Sequence, residues 1–158
     1  MKAVNATKED IQSWLALASE VEHLFGPMVD SPKFLQALEK NIQQNRAFCV
    51  REKDGPPGAR LLGGLLFSSS QAPLYKIGWL SVAREARSKG VATLLLNHIL
   101  MLIPTSSELT VTTFGEDVLE GLPARRLYEK FGFVPLPLAI PAGPEGGSRQ
   151  MFRLAISS

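Results

Sequence analysis

Six consecutive residues, Arg87-Ser88-Lys89-Gly90-Val91-Ala92, have the composition of an anion grip. They follow an apolar run that ends near Val82 and lead into another from Val91 to Ile103, which places them at the turn between a strand and a helix. A helix N-terminus presents backbone N–H groups that lack intrahelical partners, together with the positive end of the macrodipole. A phosphate binds well there. Gly90 and Ala92 leave room for a close approach to the amides, and Arg87 and Lys89 add charge beside them. The macrodipole contributes only about 0.3 to 1 kcal/mol per charge, so several N–H bonds must share the hold. An isolated turn of this kind is more often a plain glycine turn with solvated basic residues. Neither the P-loop pattern nor GxGxxG is present, so nucleoside triphosphate and dinucleotide readings lose support.

Few other residues could do chemistry. Tyr128 is a potential proton donor, although by spacing alone Leu127, Tyr128 and Phe131 form the core stripe of an amphipathic helix. Glu116 and Asp117 follow a strand and could act as bases through water, yet solvated loop acids are commonplace. Glu20, Glu22 and His23 read as surface charge, and His98 as a solvated or half-buried histidine on an apolar helix. Cys49, the single cysteine, lies in the run AFCV and reads as a small buried hydrophobe. No spacing of His, Cys and carboxylates indicates a metal site.

The elements that must position these groups follow from periodicity and turn chemistry. Asp10 or Thr7 can cap a first helix running to Gly26-Pro27, and Ser31-Pro32 starts a second with the stripe Phe34, Leu35, Leu38 and Ile42. Ala47 to Arg51 and Arg60 to Ser68 form a hairpin around KDGPPGA, and after the polar SSSQAP a strand spans Lys76 to Val82. A helix from Val91 to Ile103 ends at Pro104. A strand over Leu109 to Phe114 leads to a helix over Pro123 to Phe131 that Gly132 closes. Phe133 to Ile140 and Gln150 to Ile156 are the last strands, joined by the Gly- and Pro-rich PAGPEGGS, expected to be a mobile loop.

The chain's 158 residues suit one domain over 1–158. Seventeen basic residues are interspersed among fifteen acidic ones for a net charge of +2, without the basic stripe that nucleic-acid binding needs. No apolar run approaches the ~20 residues that span a bilayer. The charged Lys8, Glu9 and Asp10 interrupt any signal-like segment, and one cysteine forbids an internal disulfide. The expectation is a cytoplasmic protein without nucleic-acid or membrane partners.

Two stretches together carry a resemblance. Val82 to Ala92, VAREARSKGVA, is similar to the signature V-x-P-x-x-R/Q-x-x-G-x-G/A of the GNAT superfamily of acyl-CoA-dependent N-acyltransferases, with Arg84 in the proline position. Ala124 to Phe133, ARRLYEKFGF, resembles that family's A-x-x-L-Y-E-K-x-G-F segment. The resemblance covers nearly the whole chain. It implies one α/β (α+β) domain with a mixed, mostly antiparallel sheet of six or seven strands, about four helices and splayed central strands. It implies that main-chain groups at Leu80 and Val82 pair with the pantetheine arm of acetyl-CoA, and that amides from Ser88 through Val91 to Ala92, beside Arg87 and Lys89, take the pyrophosphate. A main-chain N–H near Leu80 would stabilise the oxyanion, Tyr128 would protonate the departing thiolate, and Glu116 is the base candidate. Gly121 stands where the family often has asparagine. The expected reaction is acetyl transfer to a small-molecule or peptide amine by direct attack in a ternary complex, without a metal, in a chain whose relatives are commonly homodimers. A non-catalytic acyl-CoA sensor is the main alternative, and a protein-interaction module a further one.

Overall fold

The computed structural model describes residues 1–140 and 148–157. Seven strands, β1 Val4–Asn5, β2 Ala47–Arg51, β3 Leu61–Gln71, β4 Leu74–Val82, β5 Ser107–Phe114, β6 Val134–Ile140 and β7 Arg149–Ile156, form a sheet in the order β1-β2-β3-β4-β5-β7-β6. Five α-helices accompany them: α1 Ile11–Ser19, α2 Glu22–Phe25, α3 Pro32–Gln43, α4 Val91–Leu102 and α5 Leu122–Lys130. This is the expected α/β class. One pairing, β4 with β5, is parallel, with a ladder from Leu74↔Glu108 to Ile77↔Val111. β1 with β2, β2 with β3, β5 with β7 and β6 with β7 are antiparallel.

The chain resolves into two compact units, Met1–Phe67 with Trp79–Leu102, and Ser68–Gly78 with Ile103–Ser158. In the first, β2 is buried along its whole length, and two glycines of β3 let helices come close to the sheet. A Cβ on Gly63 would lie 2.6 Å from Val91 Cγ1, and one on Gly64 would lie 2.8 Å from the Trp14 indole. Adjacent strand residues face opposite sides, so α4 and α1 are received on the two faces. Val91, the first residue of α4, is thereby seated on β3, which fixes where that helix begins. Around Trp14 an aromatic cluster forms, with its ring 5.6 Å from Trp79, Phe34 6.0 Å from Trp79, and the Trp79 Nε1–H donating to Met28 Sδ at 3.3 Å.

The same unit hides a charge pair that sequence reasoning missed. Asp10, expected only as a helix cap, has no exposed surface and accepts hydrogen bonds from Arg51 Nε at 3.1 Å and Nη2 at 2.7 Å. It also accepts from the amides of Thr7 at 2.8 Å and Gly58 at 3.0 Å. Cys49 is fully buried, as expected, and its thiol is pushed up to about 12, first by burial and then by the Asp10 charge. At pH 8 so little thiolate forms that a thiolate-directed reagent should label native protein on the order of 10³-fold more slowly than a free cysteine peptide. Rapid native-state labelling, followed by mass spectrometry, would contradict the burial.

In the second unit β5 pairs with β7 along its full length, from Ser107↔Ile156 to Phe114↔Arg149. Gly132, at φ 96, ends α5 as a left-handed C-terminal residue should. The outer strand β6 carries Pro135 and Pro137, which remove N–H donors from a sheet edge.

The structure corrects several boundaries. The first helix is broken: α1 stops at Ser19 and α2 begins at Glu22, with Val21 at φ −120 between them. The Glu22 carboxylate accepts from the amides of Met28 at 2.6 Å and Val29 at 3.1 Å, which draws the chain round after α2. The polar SSSQAP is not a loop. Ser68 to Gln71 extend β3 and only Ala72 and Pro73 turn into β4, because ladder pairing holds a strand that has no apolar alternation of its own. β1 was not anticipated, and β5 starts two residues earlier than periodicity indicates. The stretch expected to be a mobile loop falls, at residues 141–147, outside the described residues. Among the described residues no helix is long and apolar enough to cross a membrane.

Candidate active site

The turn from Arg87 to Ala92, expected to hold an anion, has a pinned root and an open tip. At the root, the Ala83 amide donates to Leu62 O at 2.8 Å, Ala83 and Ala86 are buried, and Glu85 pairs with Arg60. The Arg84 amide donates to Glu20 Oε1 at 3.0 Å, so Glu20, read as surface charge, tethers the turn to the end of α1. Beyond the root, Arg87, Ser88, Lys89 and Gly90 are all exposed. Ser88 at φ 65 and Gly90 at φ 84 are both left-handed, a conformation that costs a non-glycine residue roughly 1–2 kcal/mol. A Cβ on Gly90 would meet nothing within 4 Å, so the space beside it is open. Val91 is buried and Ala92 half-buried as α4 sets off. On β4, Leu80 and Val82 are half-buried while Trp79 and Ser81 between and before them are buried.

In the other unit, Tyr128 is 3% exposed. Its ring lies 5.3 Å from Phe133 and 6.1 Å from Phe152, and burial pushes its phenol above the ordinary 10.0. The core stripe expected from spacing is corrected here: Leu127 and Phe131 are only half-buried, and the buried residues of α5 are Arg125 and Tyr128. The helix faces the sheet through a guanidinium and a phenol ring. No hydrophobic pattern could have indicated the guanidinium. Gly121 also gains a reason. A Cβ at that position would lie 2.7 Å from Phe114 Cβ, so the close approach of β5 excludes the asparagine that relatives often carry.

The two acids differ. Asp117 accepts from Ser148 Oγ at 2.5 Å and from the Ser148 amide at 3.2 Å, and these bonds, the hydroxyl first, hold its carboxyl below the usual range. The Glu116 side chain is 86% exposed, with its carboxylate 3.6 Å from Arg125 Nη2. Both line an open depression of about 350 Å³ with Gly115, Ser148, Arg149 and Gln150. His23 is exposed, and His98 is half-buried with its ring edge-on to Phe48 at 4.7 Å.

Residues 44–135, more than half of the chain, match the family model described as acetyltransferase (GNAT) domain. The chain therefore belongs to the GNAT acetyltransferase family. It is an acyltransferase. The fold agrees with solved structures: an acetyltransferase of the GNAT family from Bacillus cereus has a TM-score of 0.73 at 15% identity, covering 99% of this chain and 98% of that one. An N-acetyltransferase from Staphylococcus aureus Mu50 gives 0.73 at 17% identity, covering 97% and 96%. Ard1 from Thermoplasma volcanium gives 0.76 at 14% identity, covering 99% and 98%. No curated protein sequence matches this chain.

Proposed function

We propose that the chain transfers an acetyl group from acetyl-CoA to a primary amine, on a small molecule or a peptide, by direct attack in a ternary complex. Residues 1–158 then act as one N-acetyltransferase domain. The observation that carries this reading is the exposed turn at the head of α4, with Ser88 and Gly90 left-handed and open space beside Gly90. In this reading the amides from Ser88 to Ala92 take the pyrophosphate, flanked by Arg87 and Lys89. Main-chain groups at Leu80 and Val82 pair with the pantetheine arm.

The chemistry asked of the protein is modest. A main-chain N–H near Leu80 supports the charge that builds on the thioester oxygen, and one such donor is worth about 3 kcal/mol of barrier. Tyr128, which burial keeps protonated, donates to the departing sulfur. Asp117 is committed to Ser148, which leaves Glu116 as the carboxylate that accepts the amine's proton through water.

Acetyl-CoA at about 100 times its dissociation constant should stabilise the protein by about 2.7 kcal/mol, a rise of roughly 5–10 °C in Tm for a chain of this size. Addition of an accepting amine should then release free thiol. Stabilisation without thiol release across a broad amine panel would favour the sensor, and no stabilisation would overturn both readings. Gly90→Trp supplies the site-specific control. The new side chain enters open space, so the protein should fold, with a strain cost of about 1–2 kcal/mol shared by Gly90→Ala. The stabilisation by acetyl-CoA should vanish in the tryptophan variant and survive in the alanine one. Equal stabilisation of both would remove the pyrophosphate from this turn.

A further inference from the structure

Arg125 stands at a position that the family pattern A-x-x-L-Y leaves open, and by composition it is one of two adjacent surface arginines. Its environment is unlike that of a surface residue. It is 5% exposed, and Nη1 donates to the Phe114 carbonyl at 3.1 Å and to Gln150 Oε1 at 2.7 Å. Gln150 in turn donates through Nε2 to the Leu136 carbonyl at 2.8 Å. The guanidinium carbon lies 4.9 Å from the centre of the Phe152 ring, which is itself fully buried and in contact with the Tyr128 ring. One planar group thus joins the last residue of β5, the start of β7 and, through Gln150, β6. Arg125 and Tyr128 are three residues apart on one helix, share one face, and are the buried residues of α5. A ring alone packs in several rotations about the helix axis. A planar guanidinium whose Nη1 is shared between two acceptors, while Nη2 lies 3.6 Å from the Glu116 carboxylate, does not.

We propose that Arg125 is the positioning residue for Tyr128: its bonds to Phe114 and Gln150 set the rotation of α5 and so aim the phenol. The inference rests on the reading of Tyr128 as donor to the departing sulfur. Misplacement of a reacting group by about 1 Å can cost on the order of 10²-fold in rate, so a modest turn of α5 should register in turnover. Arg125→Lys keeps the charge and loses the fork. It should lower kcat at least ~10-fold while leaving KM for acetyl-CoA and the thermal shift by acetyl-CoA nearly unchanged.

A double-mutant cycle in kcat separates positioning from general support. The cycle is run in a Glu116→Gln background, which takes the carboxylate 3.6 Å from Arg125 Nη2 out of the comparison; there, with Tyr128→Phe in place, Arg125→Lys should cause no further loss, because the group it aims is gone. A merely structural role would give losses that multiply. Should Arg125→Lys fail to fold, Gln150→Ala removes one acceptor and leaves the bond to Phe114, and it should show the same pattern at smaller size. Multiplying losses, or a kcat unchanged by Arg125→Lys and by Gln150→Ala while Tyr128→Phe lowers it, would overturn the positioning role and leave the role of Tyr128 standing. A kcat unchanged by Tyr128→Phe would overturn both.

Discussion

Tyr128→Phe is expected to lower kcat by about 10²-fold while the thermal shift produced by acetyl-CoA stays within error of the parent protein. General acids contribute typically about 10²–10⁴-fold, and the phenylalanine ring preserves the contacts at 5.3 Å to Phe133 and 6.1 Å to Phe152. Only the hydroxyl is lost, so folding should change by no more than about 1 kcal/mol. Burial raises the phenol above its ordinary 10.0, which means it remains protonated throughout the neutral range. That is the state a donor needs. It is also a weak acid relative to a thiol of pKa about 8.5, so the phenol acts as a hydrogen-bond donor whose proton crosses only as negative charge gathers on sulfur. The pH profile of kcat should therefore show no limb from Tyr128 below about 10. Unchanged turnover in Tyr128→Phe would withdraw the donor assignment.

What could be read from the residues depended on whether a role left a local mark. The turn at Arg87 to Ala92 did, since a glycine that follows two basic residues at the mouth of an apolar helix marks a turn by itself and, beside ARRLYEKFGF, a family signature, and the structure places that turn in the open with Gly90 left-handed. The helix ending at Gly132 was legible for the same reason. Arg125 and Asp10 left none. A buried ion or fork depends on partners 11 to 48 residues away, Phe114 and Gln150 for one, Arg51 and Gly58 for the other. Sequence patterning sees only the polar residue type, which it assigns to solvent. The extension of β3 through Ser68 to Gln71 was hidden for a different reason: these residues lack the apolar alternation that marks a strand, and only the two-residue turn into the neighbouring β4 shows that the strand runs on. The break between α1 and α2 was hidden in a side chain, the Glu22 carboxylate, whose target amides lie six and seven residues on.

Asp10→Asn should be the most destabilising single-atom-scale change in the molecule. The substitution keeps the side chain's size and removes its charge, so the Arg51 guanidinium, 9% exposed, is left buried without a counter-ion. Breaking a buried pair from one side costs about 3–5 kcal/mol, which for a chain of this length lowers Tm by roughly 6–20 °C. The pH dependence supplies a second signature. Burial on its own raises the Asp10 carboxyl, but the bonds from Arg51, Gly58 and Thr7 outweigh it and hold the carboxyl below its ordinary 3.8. A depressed carboxyl contributes stability that is fully present above the unfolded value, near 4, and is lost as pH falls through the lower folded value. The parent protein should thus lose stability steeply below about pH 4, and Asp10→Asn should lose less over the same interval because its contribution is already gone. Removing both charges in Asp10→Leu/Arg51→Met should recover part of the loss, since apolar replacements for a buried pair are often neutral or stabilising by about 1–4 kcal/mol. Thermal and chemical denaturation at pH 7 and pH 3.5 on the three proteins measures all of this. A Tm for Asp10→Asn within about 2 °C of the parent would mean that Arg51 finds water or another partner, and that the pair is not what joins the Thr7 turn, β2 and the loop at Gly58.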